Sequence, residues 1–158
     1  MKIIFRKEMK YMKVIENLNV TCDELFKVMM ESFAMDYKNA TKKDIKIEDI
    51  KAGLSYKKKT RGRFGFGSTL SVEILELEVN RKYVVKFTTK IEESIASYEM
   101  MPKGKKGCMI TYTEDFTSDV EDGKKIRRND EDKAKMRLRK MFKEVEKNII
   151  KNRGKEEQ

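Results

Sequence analysis

Apolar residues recur with two different periods along this chain, and the switches between them divide it into elements. Met12, Val14 and Leu18 share one face of a strand expected over Tyr11 to Val20. Thr21-Cys22-Asp23-Glu24 then reads as a capping box, in which the threonine hydroxyl accepts a backbone N–H three residues on and Glu24 reaches back. Behind it Leu25, Phe26, Val28, Met29, Met30, Phe33 and Tyr37 form one helical stripe, broken at Asn39 to Lys43. Ile45, Ile47 and Ile50 predict a short second helix or an irregular turn that ends near Gly53.

From Leu54 the period falls to two. Leu54 to Arg61 is a strand with Leu54 and Tyr56 on one face. In Thr69 to Val79 the inward set passes from Leu70, Val72 and Ile74 to Leu75, Leu77 and Val79, and one extra residue at a bulge explains the slip. A turn at Asn80-Arg81 leads to a strand over Lys82 to Ile91, with Tyr83, Val85, Phe87, Thr89 and Ile91 in phase. Ser94 to Met101 and Gly107 to Thr117 make a hairpin whose inward residues are Ala96, Tyr98 and Met100, then Cys108, Ile110, Tyr112, Glu114 and Phe116.

Residues 118–129 are polar and read as a loop or hairpin extension. The last element is a helix over Asp130 to Arg153, acidic at its start, basic at its end, with Gly154 as a stop. Ala134, Leu138, Met141, Phe142, Val145 and Ile149 form its apolar stripe. The order of elements predicts an α+β fold: a curved antiparallel β-sheet wrapped around a long C-terminal α-helix, with one or two short helices after the first strand. Residues 12–153 form that single domain, 1–11 are an N-terminal extension or the start of the first strand, and 154–158 are a disordered tail.

Composition narrows the chemistry. The 158 residues contain no histidine, which removes Ser-His-Asp and Cys-His catalysis and most zinc sites. Lys and Arg number 37 against 27 acids, a net charge of +10, but 28 of the 37 are lysines spread along the whole chain. Such a distribution reads either as a solvated coat or as one functional basic face. Residues 1–10 carry only Ile3 to Phe5 as a strongly apolar run, and no stretch has the length of a membrane span. Cys22 and Cys108 have no metal or disulfide-framework spacing and read as small buried apolar groups, Cys22 beside a helix start that favours a thiolate. A reduced cytoplasmic protein is expected, without cofactor or metal: Glu121-Asp122 and Asp130-Glu131-Asp132 do not follow a calcium-loop pattern.

With this order of elements, Asn17-Leu18-Asn19-Val20, Tyr98 to Pro102 (YEMMP) and Cys108 to Glu114 (CMITYTE) carry a likeness: the sequence resembles the helix-grip superfamily of START domains and birch-pollen-allergen-like proteins (SRPBCC). Within it, the chain is similar to a small uncharacterised group from low-GC Gram-positive bacteria. The resemblance implies a cavity between the curved sheet and the long helix, often holding lipids, sterols or other apolar molecules.

The expected role is therefore binding of an apolar or amphipathic small molecule, with a monomer or homodimer as the assembly. Tyr56, Tyr83, Phe87, Tyr98, Tyr112, Glu114, Leu138, Met141 and Phe142 are the candidate lining residues. The tyrosines serve equally well as large core residues, and Glu114 as a carboxylate that reaches solvent. Two other readings stay open. Lys57, Lys58, Lys59, Arg61 and Arg63 lead into the Gly-rich GRFGFG stretch, a basic and aromatic combination that suits nucleic acid or an acidic partner, or is only a hairpin connection. Glu114 with a tyrosine is the minimal start of a cyclase- or hydrolase-like site.

Overall fold

The computed structural model describes residues 5–62, 65–121 and 129–156, with side chains for 9–59, 68–118 and 131–155. Strand β1 (Phe5–Leu18) leads into helix α1 (Cys22–Thr41) and a 3-10 turn at Ile47–Asp49. Strands β2 (Ser55–Gly62), β3 (Gly65–Glu78), β4 (Lys82–Thr88), β5 (Glu92–Lys103) and β6 (Gly107–Glu121) follow, and helix α2 (Asn129–Glu156) closes the chain. All six strands pair antiparallel in one sheet of order β1-β6-β5-β4-β3-β2. The expected helix-grip architecture is the one observed.

β1 and β2 are the two edges of this sheet, so α1 must carry the chain across it. Its 20 residues span about 30 Å at 1.5 Å per residue, and five strand spacings of about 4.8 Å need roughly 24 Å. The capping box starts the helix as read from sequence: Glu24 N–H donates to the Thr21 hydroxyl, and the Glu24 carboxylate accepts from Thr21 N–H. The expected break over Asn39 to Lys43 is where the helix ends. The helix continues to Thr41 and ends on Lys42 in the left-handed region, φ 64°.

The core lies between the sheet's concave face and the two helices. Leu25, Phe26, Met30 and Phe33 of α1 and Phe142 and Ile149 of α2 bury against Val14, Leu18, Val72, Ile74, Val85, Ala96, Ile110 and Cys108. The bulge falls where the period slips: Ile74 pairs with Val85 and Glu76 with Val84, leaving Leu75 as the extra residue. Leu75 itself is 40% exposed, so after the bulge only Leu77 of the expected set packs against the core. Val79 and Ile91, expected inward, lie exposed beside the two turns that flank β4. Gly154 does not stop α2, which runs on to Glu156; a lone glycine lowers helix stability without forbidding the helix.

Candidate functional site

The antiparallel register lines up Tyr83 of β4, Tyr98 of β5, Tyr112 of β6 and Val14 of β1 across the sheet. Side chains alternate along each strand, so this one line puts three tyrosines side by side on the concave face. Tyr83 and Tyr98 stack with centroids 5.5 Å apart, and Tyr98 meets Tyr112 edge-on at 4.9 Å. Phe142 of α2 joins the end of the row at 6.5 Å from Tyr112. At the other end Phe33 of α1 bridges Tyr83 (6.5 Å) to Tyr56 (5.5 Å), and Tyr37 stands 5.6 Å from Tyr56. One continuous aromatic band therefore runs from α1 over the sheet to α2.

Four of the five tyrosine hydroxyls of this band differ in what they bond. Tyr56 donates to the Asp36 carboxylate, which Lys58 also holds at 2.9 and 3.0 Å. Tyr112 donates to Glu114 at 2.9 Å, and Ser94 donates to the other oxygen of that carboxylate at 2.8 Å. Tyr83 and Tyr98 have no hydrogen-bond partner among the described residues. No described side-chain oxygen or nitrogen is both sealed from solvent and unpaired, so these two hydroxyls reach space that water can enter. Burial, followed by the charge of Glu114, pushes the Tyr98 phenol up from 10 to about 12. Burial likewise raises Tyr56, Tyr83 and Tyr112.

Burial along the concave face is uneven. Ile74, Val85, Ile110 and Cys108 are sealed, whereas Leu70, Phe87, Ser94, Glu114 and Phe116 are only half buried. Phe87 stands opposite the buried Val72 and the half-buried Ser94, and Leu138 of α2 is half buried against the core. Among the described residues, Tyr83, Phe87, Tyr98, Tyr112, Glu114, Leu138 and Phe142 all face the space between the sheet and the helices. Tyr56 faces the same space from the α1 side. Met141 does not: it is 42% exposed, about 60° around α2 from the centre of the stripe of Ala134, Leu138, Phe142, Val145 and Ile149.

The lysine run does not form one basic face. Alternation exposes Lys57 and Lys59 on one side of β2, while Lys58 points to the other and is neutralised by Asp36. The side chains of Arg61 and Arg63, and much of the GRFGFG stretch, lie outside the described residues; the backbone register sets Gly62 opposite Gly65. No three described acid or cysteine side chains converge as metal ligands, and no described helix is long and apolar enough to cross a membrane.

Sequence reasoning missed one juxtaposition. Cys22 opens α1 and Cys108 lies on β6, yet their sulfurs approach to 2.9 Å although the residues are 86 apart in the chain. The only cue in the sequence is that each falls in the inward phase of its own element. Beside them an open groove of about 750 Å³ separates the first turn of α1 from the Asn80-Arg81 turn and the β5–β6 hairpin.

Comparisons with known proteins agree with this architecture. An uncharacterized protein from Rhizobium leguminosarum superposes with a TM-score of 0.63 at 11% identity, over 94% of this chain and 99% of its own. Ara h 8.0201 gives a TM-score of 0.62 at 12% identity, over 92% and 100% of the two chains. Norcoclaurine synthase from Thalictrum flavum gives 0.52 at 11% identity, over 71% of each. At such identities the likeness shows the fold alone. No curated protein matches the chain by sequence. Residues 12–128 match the family described as "Domain of unknown function (DUF3284)", and the chain belongs to that family.

Proposed function

We propose that this protein binds an apolar or amphipathic small molecule on the concave side of the sheet, against the aromatic band and α2. The observation that carries the reading is the pair of hydroxyls on Tyr83 and Tyr98, set among apolar rings without a partner among the described residues. A bound molecule with one or two hydrogen-bonding groups would satisfy them, and its apolar body would cover Phe87, Leu138 and the exposed edge of Tyr98. Ligand sites are commonly of this kind, mostly apolar with a few convergent polar groups. Covering about 200 Å² of apolar ligand surface would contribute roughly 5 kcal/mol. Glu114, fixed by Ser94 and Tyr112, sets a negative charge at the edge of the site. The likeness of Asn17–Val20, YEMMP and CMITYTE to a low-GC Gram-positive bacterial group, and the two free thiols, favour a reduced cytoplasmic setting.

The test begins with untargeted mass spectrometry of small molecules that copurify with the native protein. A neutral apolar dye, N-phenyl-1-naphthylamine, then reports occupancy by fluorescence. We expect saturable 1:1 binding, displacement of the dye by the copurified molecule, and affinity for that molecule roughly 3–10-fold weaker in Tyr98→Phe. Absence of saturable binding, with a crystal structure whose concave side is filled by the protein's own side chains, overturns the proposal.

A further inference from the structure

The cysteine pair and the groove beside it take no part in the proposed ligand site. The two sulfurs are 2.9 Å apart, with the Cys22 thiol donating to Cys108, and a disulfide bond of about 2.05 Å lies roughly 0.9 Å of closure away. The two thiols differ in access. Cys108 is 0% exposed, and burial together with the Cys22 contact pushes its thiol well above the ordinary value. Cys22 is 8% exposed and lines the 750 Å³ groove. That groove also carries Arg81 and Lys105 against one acid, Asp23, and the backbone N–H groups of the first turn of α1 point toward the same end of the fold.

We propose that Cys22 and Cys108 form an exchangeable thiol pair, oxidised through the groove by an anionic low-molecular-weight disulfide of the glutathione class. The Cys22 sulfur attacks one sulfur of the reagent. The reagent's S–S bond breaks, and its first half leaves as a thiolate that takes up the proton Cys22 has shed. Cys108, already in contact, attacks the Cys22 sulfur of the mixed disulfide, and the second half leaves with the Cys108 proton. Two protein thiols and one external disulfide become one Cys22–Cys108 disulfide and two external thiols, so the pair reports the thiol–disulfide balance of its surroundings. The new bond ties the first turn of α1 to β6, and a reducing thiol pool opens it by the reverse steps.

The experiment incubates the full chain with glutathione disulfide, quenches with acid, alkylates, and follows intact mass and peptide maps over time. We expect glutathione first on Cys22, then its loss as the mass settles two hydrogens below that of the starting protein, with both alkylatable thiols gone and full reversal by dithiothreitol. Cys108→Ala stops with one glutathione on Cys22, and Cys22→Ala leaves Cys108 unmodified until denaturant is added. If either variant does not fold, the order of modification in the wild-type time course decides instead. Cationic cystamine should react several-fold more slowly than glutathione disulfide, the gap narrowing as salt rises. A stable mixed disulfide on the wild-type protein, or modification of Cys108 before Cys22, overturns the pair. Equal rates for the two reagents overturn the anionic class.

Discussion

The sharpest test of how the two helices are fastened is the ion pair between Glu24 and Arg153. Arg153 donates from Nε and Nη2 to the two Glu24 oxygens at 2.7 and 2.5 Å, while Glu24 also completes the capping box with Thr21. One carboxylate thereby secures the start of α1 and the end of α2. The Arg153 hydrogen bonds, aided by those of Thr21, hold the Glu24 carboxyl at about 2 against an ordinary 4.5 despite its partial burial. At 1.36 kcal/mol per pH unit that difference sets a ceiling of roughly 3 kcal/mol. Arg153 is 40% exposed, so solvent screening brings the expected coupling down to about 1–2 kcal/mol. The sign follows from the lowered value: the stabilisation is complete above pH 4.5 and is lost as pH falls toward 2. A double-mutant cycle of Glu24→Gln and Arg153→Gln, read by urea denaturation, isolates the pair, because glutamine keeps an acceptor for Thr21. Each single variant should melt roughly 3–6 °C lower at neutral pH. The coupling at about pH 3 should fall to roughly 0.4 of its neutral value. Additive single costs, or a coupling that is unchanged in acid, would refute the argument.

Other consequences follow from single positions. Gly107 closes the β5–β6 hairpin, and a methyl there would run into the Lys103 carbonyl, which is backbone and cannot rotate aside; Gly107→Ala should lower stability by about 1–3 kcal/mol in denaturant titration. Tyr98 ionises near 12 rather than 10, with Tyr56, Tyr83 and Tyr112 displaced the same way, so the folded state keeps these protons longer. Stability should be fully present below pH 10 and decline as pH rises toward about 12, seen as denaturation midpoints that fall over that range. Asp36→Ala strands the buried Tyr56 hydroxyl and should cost about 1–3 kcal/mol, whereas Asp36→Ala with Tyr56→Phe should recover part of that loss.

Much of this fold is legible in the sequence because its elements announce themselves locally. The Thr21-to-Glu24 capping box, the slip of phase at Ile74 and the change of period at Leu54 are each written within a few residues, and each appears where expected. The errors share a cause as well. Val79, Ile91 and Met141 have the right hydrophobicity for the core but fall beside a turn or at the margin of a stripe, and whether such a residue is covered depends on a neighbour the local pattern does not name. The candidate site divides in the same way. Alternation placed Tyr83, Tyr98 and Tyr112 on one face, but their alignment into one row depends on strand register, which neighbouring strands set together. The Cys22–Cys108 contact and the capture of Lys58 by Asp36 join elements distant in sequence, where no short-range period reaches.

Those distant joins also explain what becomes of the charge. The part-buried acids on inward positions are met largely from other elements: Glu24 of α1 by Arg153 of α2, Asp36 of α1 by Lys58 of β2, Glu16 of β1 by Arg139 of α2 at 3.2 Å. Glu146 of α2 accepts from the Asn19 N–H at 2.6 Å, just past the end of β1. Glu16 belongs to the same face as Met12, Val14 and Leu18, so the imperfect alternation of β1 marks a docking point for α2 rather than a weak strand. These pairs lie around the margins of the apolar core, where half-exposed charges lose less hydration than fully buried ones, and each fixes one helix against one other element. Glu114 departs from that pattern. On the concave face it is held by the neutral hydroxyls of Ser94 and Tyr112, and no described lysine or arginine pairs with it. Cations of α2 and β2 thus fasten the helices at these margins, while the row of Tyr83, Tyr98 and Tyr112 keeps neutral hydroxyls and the single carboxylate of Glu114. In the proposed ligand site such a lining would discriminate among amphipathic molecules by hydrogen bonding and shape more than by attraction of anions, even in a chain of net charge +10.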